Sequence, residues 1–385
     1  MLSSWLNGLL IFVPVGLWAF LSDKAPLVVF VTNGIAIVPL SSLLTGATEK
    51  IAEDAGDAVG AFLNITLGNL VELILFVALK HDRVRVVQAS ILGSILVNLL
   101  PILGVALFVN GFRYDGPVLN FVETQLLSCL LVVSTFVLLI PAALNSTLDE
   151  STGAGNARLQ MSRASAIVVL LIYIFYIIHE VRVHTPPTPF VSAPQGESRD
   201  GASQIELEDI DTSNSDSTSD YETSDLLHGL HQRSNGEKAL SVLLLTISSA
   251  LMSMCAEFLV GTIEGITRQG HLSESFIGLV LLPIVGNVAE FVTVVTVAYR
   301  EKLDLAVAVA VGSAVQIALC VMPLTIIASW IMARELTLSF SLFDTAALIG
   351  ATVLVNFFFL GDASSVLRVS RLKGALMCAC YIIIG

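Results

Sequence analysis

Two acids sit where acids are costly. Glu72 lies inside "ITLGNLVELILF" (65–76) and Glu290 inside "IVGNVAEFVTVV" (284–295). Each follows an asparagine by three residues, Asn69 and Asn287, and each asparagine follows a glycine, Gly68 and Gly286. On a helix, positions i and i+3 share a face, so each Asn and Glu point the same way. An acid at the centre of a membrane helix costs roughly 2.5–3.5 kcal/mol on insertion scales and belongs on a bundle interior or a water-filled cavity. Two carboxylates and two amide oxygens are hard ligands of the kind Ca²⁺ gathers, about six to eight at a time. No Cys or His cluster stands nearby, which disfavours zinc and copper. Ser94, Ser313 and Gln316 on the following helices can add oxygens or orient the glutamates. Pro283, just before Gly286, would free a backbone carbonyl at membrane depth.

The same acids imply exchange. Two ionised glutamates in one apolar site repel each other and lack solvation, so the metal-free site should hold protons. Bound Ca²⁺ must expel those protons. A site filled by one or the other is the minimum for Ca²⁺/H⁺ antiport. A single buried acid is often only glue between helices; its recurrence with the same neighbours argues otherwise. Glu49, Glu53, Asp54 and Asp57 are either a solvated loop or a cation funnel, and Glu257, near a helix end, is a candidate for the cation access path. His81 and His271 read as loop residues.

The elements that must position these groups come in two related sets. The motif glutamates are 218 residues apart (290 − 72), and Gly93-Ser94 recurs as Gly312-Ser313 at 219 (312 − 93). A looser pair joins "ATEKIAED" around Glu49 to "CAEFLVG" around Glu257. Apolar blocks fall at about 4–21, 26–45, 58–79, 86–110, 122–144, 164–181, 239–259, 273–299, 303–331, 338–360 and 366–384. Blocks of that length can cross a hydrocarbon core of roughly 30 Å as helices. The fold class is therefore an all-α polytopic membrane protein of about eleven helices. An extra first helix (1–25) precedes one five-helix half (26–181), an acidic loop (182–238) and a second half (239–385). An odd number of helices per half inverts the second relative to the first and puts a site at the midplane between them.

Composition agrees. Of 385 residues, 55% are hydrophobic and 13% charged, with mean hydropathy +0.84, against about a quarter charged in soluble domains. The net charge of −13 speaks against nucleic acid as a partner and gathers largely between Glu197 and Glu222. That loop, rich in Ser, Asp and Glu, reads as a disordered linker, with Ser-x-x-acid sites open to a kinase or regulator and "IELEDID" (205–211) as a short acidic helix. The five cysteines lie inside apolar blocks and read as free thiols. The apolar start lacks the marks of a cleaved signal. With the amino terminus in the cytosol, 11 of the 19 Lys and Arg fall on the cytosolic side, a small bias in favour of that orientation.

"LNITLGNLVELILFVALKHDRVRVVQASILGSILVNLL" (63–100) and "FIGLVLLPIVGNVAEFVTVVTVAYREKLDLAVAVAVGSAVQIAL" (276–319) resemble the two repeat motifs of the CAX family, the vacuolar Ca²⁺/H⁺ exchangers of fungi and plants. The likeness spans nearly the whole chain and is greatest to fungal members. It implies eleven helices with two inverted five-helix repeats, a multi-pass place in the vacuolar membrane and a cytosolic acidic loop. It implies that Glu72 and Glu290 carry Ca²⁺ and H⁺ in turn, without a resident cofactor and without enzymatic catalysis. It assigns support to Asn69, Asn287, Ser94, Ser313 and Gln316 and cation access to Glu49 and Glu257. A homo-oligomer is compatible with it. Two positions depart from the pattern: Phe291 stands where a His is common, and Val97 stands where a Ser often precedes the Asn of "SNLL". A Mn²⁺-selective or Na⁺-coupled exchanger of the same superfamily is the alternative. A cation channel fits less well, and an intramembrane hydrolase lacks any Gly-x-Ser-x-Gly or His-Glu-x-x-His.

Overall fold

The computed structural model describes residues 5–54, 72–113, 121–147, 154–184, 235–270, 272–300, 302–337, 340–359 and 366–385. These residues form eleven helical rods and, among them, no strand. A tight 3₁₀ stretch Trp5–Ile11 runs into Phe12–Leu21, followed by Pro26–Asp54 and then Leu73–Lys80, which starts at Glu72. Val84–Val97 continues through a wide turn, Asn98–Ile102, into Leu103–Arg113; Phe121–Thr147 and Ala154–His184 follow. After the loop come Asn235–Arg268, the rod from Glu274 to Tyr299, the rod from Leu303 to Ile331, Leu342–Phe359 and Val366–Ile384. Among the described residues, seven helices are long and apolar enough to cross a membrane. In hydrocarbon every backbone group must be paired within its own segment, which is why apolar blocks of this length become helices.

Two boundaries differ from the apolar blocks. Pro26–Asp54 runs past the expected end at residue 45, so Glu49, Glu53 and Asp54 are helical, not a loop. The residues "ATEKIAED" are good helix formers, and their charges end the apolar block without ending the helix. Likewise Asn235–Arg268 carries Glu257 well inside a helix rather than near its end. Asp57, His271 and the "IELEDID" segment lie outside the described residues.

Three wide π turns mark three rods: Asn98–Ile102, Ile277–Leu281 and Ile317–Val321. Each holds or closely precedes a proline, namely Pro101, Pro283 and Pro323. Proline lacks the N–H for the carbonyl four residues back and crowds it, and a wide turn relieves both faults. Two of these turns touch the site to be described, since Asn98 opens one and Gln316 immediately precedes another.

Small residues set the helix spacing, because van der Waals contact replaces the hydrophobic effect between helices in lipid. Ala306, Ala310 and Ala314 form one fully buried stripe at every fourth position. Pro26–Asp54 packs along Asn235–Arg268, its counterpart in the other half. A Cβ on Gly93 would lie 2.5 Å from Pro283 Cγ and press on the Leu279 carbonyl, the one that proline frees. Gly104 and Gly374 let Leu103–Arg113 cross Val366–Ile384 with backbones touching; a Cβ on Gly374 would lie 2.7 Å from Phe108 N. Gly374→Val should therefore lower stability by about 1–3 kcal/mol through overpacking. Gly350→Ala, where nothing lies within 4 Å, should leave it unchanged or slightly raised. Melting midpoints of the detergent-purified variants measure both.

Candidate functional site

The two motif glutamates meet. Glu72 and Glu290 line one cavity of about 270 Å³ together with Thr45, Glu49, Gly286, Asn287, Thr293, Gly312, Ser313 and Gln316. At roughly 30 Å³ per water, the cavity holds a cation with several waters and does not demand full dehydration. The polar groups on its described wall are carboxylates, amides and hydroxyls, with no Cys or His. That is a donor set for a hard cation.

Local structure aims these groups. Glu72 immediately precedes Leu73–Lys80, and Glu290 sits in the middle of Leu282–Tyr299. The Ser313 hydroxyl donates to Glu290 Oε1, and Ser94 lies beside the Glu72 carboxylate. Each serine comes from the helix after its own glutamate, so each half supplies the same acid–hydroxyl pair, as the repeat predicts. Glu72 also lies within electrostatic reach of Glu290.

Asn287 is buried and braced: its Nδ2 donates to Pro283 O at 2.9 Å and to Ser94 Oγ at 3.4 Å. Its Oδ1 accepts from Asn98 Nδ2 at 3.2 Å. Asn98 Nδ2 also donates to Ser94 O at 3.0 Å, and Asn98 lies beside Glu290. Asn98 thus stitches the two halves together at the site. Its side-chain carbonyl oxygen Oδ1 is buried and, among the described residues, has no hydrogen-bond partner. A buried acceptor left unpaired costs about 1–3 kcal/mol, a cost that a cation's charge would relieve.

Asn98 was not among the candidates read from sequence. The available signal was Ser90, Ser94 and Asn98 at every fourth residue, a polar stripe on an apolar helix. The repeat hid it, because Asn98 aligns with Ile317 in the second half. Thr45 and Thr293 were also passed over. Both are one helical turn from an acid or amide on the same face of the cavity, Glu49 and Glu290 respectively.

Other candidates divide. Glu49, Gly286, Ser313 and Gln316 line the cavity as expected, with Glu49 at the exposed end of its helix. Gly68 and Asn69 lie outside the described residues. Glu257 is not on the cavity wall; it pairs with Lys80 Nζ at 3.0 Å and His81 Nε2 at 2.9 Å. Phe291, in place of the resembled family's His, packs half-buried against the apolar core rather than on the cavity wall. Val97 is buried in the same core.

Comparison with known proteins agrees with this architecture. The model of the sodium/calcium exchanger protein family matches residues 25–181 and 240–384, leaving out the acidic loop. A vacuolar calcium ion transporter of Schizosaccharomyces pombe is 36% identical over 100% of this chain and 84% of its own length. A Ca²⁺/H⁺ antiporter of Aphanothece halophytica is 35% identical over 98% of this chain and 94% of its own. The solved structure of native YfkE superposes with a TM-score of 0.76 at 25% identity, covering 98% of both chains. With both halves matched and the paired glutamates in one cavity, the chain belongs to the sodium/calcium exchanger protein family.

Proposed function

We propose that this protein exchanges Ca²⁺ for H⁺ across the vacuolar membrane, moving Ca²⁺ from cytosol to lumen by alternating access. The observation that carries the reading is the pair Glu72 and Glu290 in a single oxygen-lined cavity. Relatives named vacuolar calcium ion transporter and Ca²⁺/H⁺ antiporter support the ion pair and the membrane. In this reading the two glutamates hold the cation. Asn287 and Asn69 add amide oxygens from the two halves, and Asn98 adds its unpaired carbonyl. Ser94 and Ser313 orient the carboxylates.

Coupling follows from charge. Two bare carboxylates facing each other at low dielectric are too costly to carry through the membrane. Ca²⁺ cancels both charges, and so do two protons. The loaded forms can reorient and the empty ionised form cannot, which ties the two fluxes together. Such a protein needs no resident cofactor, and it performs transport rather than enzymatic chemistry.

In this reading the Glu49 end of the cavity faces the cytosol, the side that the small excess of Lys and Arg favours. Glu49 there concentrates cations at the mouth. The acidic loop then lies in the cytosol as well, within reach of a kinase or regulator.

Three outcomes test this. An imposed proton gradient should drive ⁴⁵Ca²⁺ uptake into proteoliposomes, and a protonophore should abolish it; uptake that ignores the protonophore would favour Na⁺ coupling. Glu72→Gln and Glu290→Gln should each reduce uptake to that of empty liposomes, because one remaining carboxylate can no longer swap two protons for Ca²⁺. Asn98→Ala should raise the apparent KM for Ca²⁺ about 10–100-fold, the cost of removing a group that positions metal ligands, and an unchanged KM would remove Asn98 from the site.

A further inference from the structure

The helix that begins at Glu72 ends in a turn, Lys80-His81-Asp82-Arg83, and all four residues pair with the second half of the chain. Lys80 Nζ and His81 Nε2 meet one oxygen of Glu257 at 3.0 and 2.9 Å. Asp82 accepts from Arg334 Nη1 at 3.1 Å, and Arg334 Nη2 also donates to Lys80 O at 3.3 Å. Arg83 bridges Glu264 and, at 3.1 Å, Glu274. Asp82 turns the chain at a φ of 61°, which short polar side chains tolerate. The partners come from three different segments, so the turn ties together one whole face of the molecule.

The opposite face is different. There the equivalent turn follows the Glu290 helix and carries Arg300 and Lys302. Both are exposed, and among the described residues neither side chain makes an ion pair. Onto that face the cavity opens past Glu49. Glu257 is the loose repeat counterpart of Glu49; Glu49 lines the cavity, whereas Glu257 lies off its described wall and is engaged by Lys80 and His81.

A second observation lies deeper on the closed side. Ser90 is buried, and among the described residues its hydroxyl has no hydrogen-bond partner. It sits one helical turn from Ser94, away from the open mouth, and its repeat counterpart is Val309 (309 − 90 = 219), which lines the open cavity. A lone hydroxyl in a closed seam is costly unless that seam sometimes holds water or a cation.

We infer that a second cation vestibule, from Ser90 to a mouth at Glu257, lies shut in this structure, and that Lys80, with His81 hydrogen-bonded beside it, shuts it by standing in at Glu257 for the mobile cation. The Glu257 side chain is 36% exposed, so dissolved ions can compete for it. Ion pairs this accessible are weak singly. Five such contacts share one turn, and the turn is continuous with the helix that starts at Glu72, so the state of the site and the state of the mouth are mechanically joined. This inference rests on the exchange reading above, whose alternating access requires a second mouth, and adds the contacts that close it.

The test reads solvent access, not transport alone. The thiol of Ser90→Cys is exposed to a membrane-impermeant maleimide on the Lys80 face of proteoliposomes, and peptide-resolved mass spectrometry follows that position separately from the five native cysteines. With the turn intact, labelling should be slow. Lys80→Met with His81→Gln should accelerate it at least tenfold, and the near-isosteric Glu257→Gln should do the same from the other side of the pair. Millimolar Ca²⁺ on that face should speed labelling when Glu257 is present and have no effect in Glu257→Gln. Equal labelling rates across all of these chains, or a Ca²⁺ response that survives Glu257→Gln, would overturn the inference. A wild-type chain that moves no Ca²⁺ against protons would sink the exchange reading instead, so the two failures stay distinct.

Discussion

Repulsion between two carboxylates in a low-dielectric cavity is the constraint on which this structure is organised. Glu72 and Glu290 come from opposite halves of the chain and face one space. Neither is cheap to bury alone, and together and ionised they are worse. Much of the surrounding architecture makes that pair tolerable. Serines from the following helices hydrogen-bond or flank each acid. Asn98 and Asn287 cross-link the halves beneath them. Wide turns at proline flank the site where a regular helix would have paired every carbonyl internally. The fold removes part of the cost and leaves the remainder for a cation or protons.

How much of this was legible in the sequence depends on whether a feature repeats. The glutamates, Asn287, the serines and Gly286 were found because the chain presents them twice, and a duplicated oddity is hard to explain as helix glue. Hydrophobic blocks gave the rods because membrane helices are long and their composition is extreme. Asn98 escaped because its repeat partner is Ile317, so the symmetry that revealed the glutamates concealed it. Glu49 was left between a solvated loop and a cation funnel, and the structure puts it on a helix that lines the cavity; charge at the end of an apolar block looks the same whether the helix stops or continues.

Glu257 shows a different limit. Its sequence neighbourhood resembles that of Glu49, and a role on an access path followed. Its partners, Lys80 and His81, are 177 and 176 residues away in the chain. Ion pairs of that separation leave no period and no motif; they arise only after the helices have packed. His81 was correctly placed in a turn. That a turn histidine would share an acid with a lysine is a property of the tertiary structure alone.

The difference between the two faces is where symmetry of sequence stops being symmetry of structure. Inverted halves could each open their own mouth, but with both open the membrane would leak. One mouth must be closed whenever the other is open, so the repeats must adopt unlike states at any moment. Here one side has the cavity that Glu49 lines, while the other has Gly93 packed close to the Leu279 carbonyl and Glu257 paired with Lys80 and His81. The two closures differ in kind. The glycine contact is a deep backbone packing contact, and it yields only if whole helices part. The ionic turn is shallow and solvated, and it can be undone by ions in solution. A deep seam that resists leakage beneath a surface closure that senses cations divides the labour of a gate.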